Sequence, residues 1–176
     1  MAGDQTEATR RAGPYARLVT GLAWLASALF VLAGAMLTYE VVARYFFTAP
    51  TRWAAELSQY CLIWGSLVAM AWVLRERRHI AVSAGLALMG PGARKAADLA
   101  SLAVVLALSV TVAWYGFDIF HDSFARGRTT GSLMNLPLWI VELAVPVGFA
   151  LLAVQCVIEM ARTWAHGAPA IAGEHP

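Results

Sequence analysis

Charge is spread along this chain in a way that few folds can accommodate. From Leu18 to Tyr39 there are 22 residues without a formal charge, from Leu57 to Leu74 another 18, and from Leu99 to Phe117 another 19. The stretch from Thr129 to Ile158 adds 30 residues, broken only by Glu142. A helix of about 20 apolar residues crosses the hydrocarbon core of a bilayer, so each run is long enough to span. Lipid offers no hydrogen bonds to a backbone, which leaves helices or closed barrels. These runs are rich in Leu, Val, Ala and Ile and lack the alternation over about ten residues that barrel strands show. The sequence predicts an all-α membrane protein of four transmembrane helices, at about 18–41, 54–74, 97–117 and 133–158, within one integral-membrane domain covering 1–176. The tails 1–14 and 166–176 are polar or rich in Gly, Ala and Pro and are expected to be flexible.

Composition excludes the main alternatives. With 60% apolar residues, 14% charged and a mean hydropathy of +0.62, the chain cannot cover a water-facing surface, for which about 25% charged residues are usual. Its net charge of +2 comes without a basic stripe, so nucleic acid is not an expected partner. A cleavable signal ending near Ala33-Gly34-Ala35 is disfavoured, because the first run continues unbroken to Tyr39 whereas a signal core has about 7–15 apolar residues.

Basic residues set the expected orientation. Three precede the first span (Arg10, Arg11, Arg17), five lie between the second and third (Arg75, Arg77, Arg78, Arg94, Lys95), and Arg162 follows the last. The first and third loops hold only Arg44, Arg52, Arg126 and Arg128. The positive-inside bias therefore places both termini and the second loop in the cytoplasm. Within that loop Ile80, Val82, Leu86, Leu88 and Met89 are too few to span and are expected to lie along the interface, against membrane lipid. Six tryptophans fall near span ends, as headgroup-level rings do, whereas Trp64 is mid-span and expected to pack against protein.

The chain carries little catalytic chemistry. Cys61 and Cys156 are 95 positions apart inside spans, and no two histidines face each other at membrane depth to clamp a haem. Asp118, His121 and Asp122 share a helical face, but a solvated helix end accounts for them better than a metal site. No phosphate-binding loop, nucleophile elbow or zinc-protease motif occurs. We read the chain as no enzyme, without a metal or a cofactor of its own.

Charges at the membrane rim are more informative. Glu40 with Arg44, and Arg52 with Glu56, are i, i+4 pairs able to hold the mouth of the first loop. Glu142 lies alone in the last span, where an ionised carboxylate is costly, and is expected to be paired or at a wet interface. Small residues recur at close-packing spacing in Gly65-x-x-x-Ala69 and Ala144-x-x-x-Gly148, which marks helix contacts without saying whether the neighbour is in this chain.

The block RYFFTAPTRWAAELSQYCLIWGSLVAMAWVLRERRHIAV from Arg44 to Val82 resembles the small permease subunit (DctQ-type) of tripartite ATP-independent periplasmic (TRAP) transporters. The likeness is carried by Arg44-Tyr45-Phe46-Phe47, by Trp53 with Glu56-Leu57, by Trp64, and by Arg75 to Arg78 with His79-Ile80. Leu136-Pro137-Leu138-Trp139 and Pro146-Val147-Gly148 extend it to the last helix. The sequence departs from the family at Ser83, where an acidic residue is common, and in Gly65 to Ala69, where the family is richer in glycine.

The resemblance implies a subunit of the inner membrane that braces a large multi-span permease and works with a periplasmic substrate-binding protein in uptake of an organic acid. The large subunit would hold the substrate and coupling-ion sites, usually for sodium. Arg44, Arg52 and Glu56 would then lie at the periplasmic rim and Arg75, Arg78 and His79 at the cytoplasmic end, with Trp64 and Glu142 as further contact candidates. Two other readings stay open: a self-sufficient proton-coupled transporter using Glu142, and a membrane electron-transfer subunit using Asp118, His121 and Asp122.

Overall fold

The computed structural model describes residues 14–76, 91–132 and 134–166. Four helices occupy them: α1 (Pro14–Phe46), α2 (Ala54–Glu76), α3 (Pro91–Arg126) and α4 (Trp139–His166), each long and apolar enough to cross a membrane. The expected interfacial segment, together with Arg77, Arg78 and His79, lies outside the described residues.

The helices outrun the uncharged stretches that announce them. α1 has 33 residues and takes in Arg17, Glu40 and Arg44; α3 has 36 and takes in Lys95, Asp98, Asp118, His121, Asp122 and Arg126. Charge ends the lipid-compatible part of a helix, not the hydrogen-bond ladder, which continues until a cap or a proline stops it. At α3 the stop is Gly127 at φ 60°, with Gly127 N bonded to Phe124 O and Arg128 N to Ser123 O, the paired bonds of a Schellman cap.

The fourth span differs in the other direction. It was expected from about residue 133, but helix begins only at Trp139. Gly131 (φ 62°) and Asn135 (φ 52°) turn the preceding segment back on itself, and Thr129 forms an isolated bridge with Pro137. Pro137 has no backbone donor to extend a helix, so Leu138 serves as the entry to α4, its carbonyl accepting from Glu142 N.

Packing places the helices in the order α1, α2, α4, α3. Extensive contacts join α1 to α2, α2 to α4 and α4 to α3. Among the described residues no comparable contact closes the ring between α1 and α3, so the domain is a row with two open edges.

Small residues draw the row together. A Cβ on Gly148 would stand 2.7 Å from Leu67 Cβ and 2.9 Å from Leu67 O, so α4 touches α2 at backbone distance. Gly65 faces Ala26 and Phe30 of α1 at 3.4 Å, an ordinary contact. On α3, Leu102, Ser109, Gly116 and Ser123 repeat every seven residues and are all buried, with Gly116 against Val145 and Pro146 of α4. Both spaced small-residue motifs therefore serve contacts within this chain. The outer faces of α1 and α3 carry exposed bulky groups, among them Trp24 and Val31, and Val104 and Trp114.

Candidate functional site: the end carrying the first and third loops

The first loop leaves α1 through Thr48, a β-branched residue held at φ 50°, and Ala49 N reaches back to Ala43 O. That reversal brings Thr51 over Glu40, which is only 5% exposed. Glu40 Oε2 accepts from the Thr51 backbone N–H at 2.9 Å and from the Thr51 hydroxyl. Glu40 Oε1 accepts from Arg44 Nη2 at 2.7 Å, so the expected pair forms. The carboxylate thus fixes the entrance to α2, while the Arg44 side chain stays 59% exposed.

The second expected pair does not form. Arg52 precedes the first turn of α2, where helical i, i+4 spacing does not apply, and it is exposed. Glu56 instead accepts from Ser132 Oγ at 2.7 Å, and Ser132 Oγ lies 2.6 Å from Thr130 Oγ1. One turn deeper, Tyr60 donates to Pro137 O at 3.2 Å. A further turn on, Trp64 Nε1 donates to Ile140 O at 3.0 Å. Glu56, Tyr60 and Trp64 form a ladder on one side of α2 that holds the third loop and the start of α4. Trp64 is therefore an internal strut.

The third loop is also tied to α3. Asp122 pairs with Arg126 Nε at 2.6 Å and with Arg128 Nη2 at 2.8 Å. Trp139 stands edge-on to Phe120 and Phe124, with ring centres 6.5 and 5.7 Å away. Asp118 and His121 are exposed, and the described residues contain no group of three side chains placed to hold a metal ion. Asp122 is thus engaged by two arginines that tie the third loop to α3.

Glu142 lies in the first turn of α4, where the helix dipole favours an acid. One of its carboxylate oxygens, Oε2, is buried without a hydrogen-bond partner, as is Ser123 Oγ. Pro146, four residues on, supplies no N–H to the Glu142 carbonyl.

The opposite end is held by two cations and two hydroxyl donors. Arg75 Nη1 donates to Ala16 O at 3.0 Å and to Thr20 Oγ1 at 3.1 Å, pinning α2 to α1. Lys95 donates to Trp164 O at 2.9 Å and lies 5.3 Å from the Trp164 ring centre. Thr163 donates to Asp98 at 3.1 Å, and Tyr15 to Leu151 O at 3.1 Å.

Of the sequence-derived candidates, Arg44, Arg52 and Glu56 share the first-loop end with Trp64 and Glu142 below them, Arg75 lies at the other end, and Arg78 and His79 fall outside the described residues. Glu40 proves more central than its partner Arg44. Thr51, Tyr60, Ser132 and Lys95 were not singled out. Thr51 had a local signal, a hydroxyl just ahead of a helix start, but Ser132 lies 76 positions from Glu56 and no local pattern joins them.

Residues 33–166 match the family of tripartite ATP-independent periplasmic transporters, DctQ component, and the chain belongs to that family. It is 25% identical over 143 residues to the isethionate TRAP transporter permease protein DctMQ of Oleidesulfovibrio alaskensis. That match covers 75% of this chain and 22% of the relative, so the chain spans about a fifth of that protein's length. The family is one of transporter subunits, not enzymes.

Proposed function

We propose that this TRAP-family chain is the small permease subunit that braces a separate large permease in the bacterial inner membrane, with both termini cytoplasmic. In this reading it supports sodium-coupled uptake of an organic acid handed over by a periplasmic substrate-binding protein. The observation that carries the reading is where the charges go. Glu40, Glu56 and Asp122 are each engaged by donors of this chain in ties that fix loops to helices. Glu142 is left as an isolated acid, and a single acid makes no relay across a bilayer. A row of helices locked at both ends is suited to holding a larger moving partner, and its rim presents Arg44 and Arg52 beside the exposed rings of Tyr45, Phe46 and Phe47.

The test is purification in mild detergent with identification of what accompanies the chain. A much larger multi-span partner is the expected result; a pure homo-oligomer overturns the proposal. Proton-coupled flux through the chain alone in liposomes would establish the self-sufficient transporter instead. Alanine at both Arg44 and Arg52 is expected to lower uptake with the fold intact, and unchanged transport and co-purification would remove them from the contact surface.

A further inference from the structure

Two apolar grooves run along one face of the helix row and meet at a single residue. The first, about 400 Å³, lies between α1 and α2 and is lined by Thr20, Trp24, Ser27, Phe30, Ala69 and Val73 among others. The second, about 320 Å³, lies between α2 and α4 and is lined by Ser66, Met70, Leu74, Leu152 and the same Val73. Each volume falls in the range of ligand sites, roughly 300–1,000 Å³. Val73 stands between them as an exposed ridge.

Charge distinguishes this face from a bare lipid-facing surface. Thr20, in the wall of the first groove, holds the Arg75 guanidinium at 3.1 Å. Among the described residues, Arg75 bonds only to two neutral oxygens, Ala16 O and Thr20 Oγ1, and pairs with no carboxylate. Elsewhere in the row Arg44, Arg126, Arg128 and Arg162 each have an acid partner, whereas Arg52 at the other end and Lys95, bonded to Trp164 O, have none among the described residues. Exposed Arg17 lies one turn before Thr20 and two before Trp24, which brings a second cation to the same end. Two apolar grooves that share Val73, the first of them headed by a guanidinium without a carboxylate partner, match one ligand chemistry, an anion carrying two hydrocarbon chains.

We infer that this face is a binding site for an anionic diacyl phospholipid, its chains seated on either side of Val73 and its phosphate against Arg75 and Arg17. The site lies at the end assigned to the cytoplasmic side, where acidic headgroups attract basic residues. It does not depend on the transport role, and its failure would leave that role standing.

The full chain, purified in mild detergent with any membrane partner that accompanies it, is exposed to equal amounts of palmitoyl-oleoyl phosphatidylglycerol and phosphatidylcholine. Bound lipid per chain is read by native mass spectrometry. Phosphatidylglycerol should be retained at least about fivefold over phosphatidylcholine, since one surface arginine contributes about that factor. Arg75→Gln should cut the preference about fivefold, and Arg17→Gln, at an exposed position that leaves the helix contacts alone, should cut it by a smaller factor. Ser27→Phe, which fills the first groove from an exposed position, should lower retention of both lipids. Equal retention of the two lipids by the unaltered chain overturns the inference, as does a preference that survives both arginine variants. A crosslink from Ser27→Cys to a partner's helix would also overturn it by assigning the groove to protein.

Discussion

The two ends of the helix row are locked by opposite chemistry. At the end with the first and third loops the central groups are carboxylates, Glu40, Glu56 and Asp122, which accept from Thr51, Ser132 and arginines. At the other end the central groups are cations, Arg75 and Lys95, which donate to backbone carbonyls of α1 and α4. A loop has backbone N–H groups with no ladder to enter, so a buried acceptor is what holds it. A helix C-terminus has carbonyls without partners, so a donor such as Lys95 serves as its cap. The first end thus fixes loops to helices and the second fixes helices to one another.

The largest expected effect breaks the acidic end. Glu40→Ala leaves the Thr51 N–H without its acceptor and removes a charge-assisted bond, and should destabilise the protein by about 3 kcal/mol in a detergent unfolding titration. Arg44→Ala removes only the exposed half of the same ion pair and should cost under about 1 kcal/mol. Equal losses from the two substitutions would show that the pair, and not the buried carboxylate, holds the loop.

An intermediate effect is expected between the ends. Gly148→Ala forces a methyl into Leu67 and should cost about 2 kcal/mol, as overpacking of a tight contact does. Gly65→Ala meets ordinary contact distances on α1 and should be tolerated with less than half that loss. Reversed values would shift the tight seam from the middle of the row to its edge.

Of the three principal ties, the smallest effect is expected at Lys95. Lys95→Ala removes one bond to Trp164 O and a ring contact, both partly in solvent, and should lower stability by about 1 kcal/mol. Amide exchange in the last turn of α4 should rise with it while the first loop is unaffected. Faster exchange in the first loop would show that the two ends are coupled.

Much of this architecture was readable from charge spacing. Three uncharged runs and a fourth broken only by Glu142 give four helices, and i, i+4 spacing gives Glu40 with Arg44, because both arise from local periodicity. Helix ends were less legible, since Lys95 and Asp122 mark where lipid stops while the ladder continues past them. Arg52 and Glu56 show the limit of spacing: the rule holds only inside a helix, and α2 begins at Ala54. The partner of Glu56 depends on how the third loop folds back at Gly131 and Asn135, a tertiary fact that no local window contains. The use of Gly65 and Gly148 within the chain follows from the row order α1, α2, α4, α3, which spacing does not encode.

That order also bears on how the protein is made. α1 with α2 and α3 with α4 are two hairpins of neighbouring helices, and each can form its internal contacts as soon as it has entered the bilayer. The α2–α4 seam, with Gly148 against Leu67 at its tightest point, is the main junction between them, and Tyr15 of α1 adds a bond to Leu151 O of α4. Biogenesis then reduces to two successive insertions and one lateral docking in the plane of the membrane, and a substitution that closes the Gly148 gap should weaken that docking while leaving each hairpin's own contacts in place.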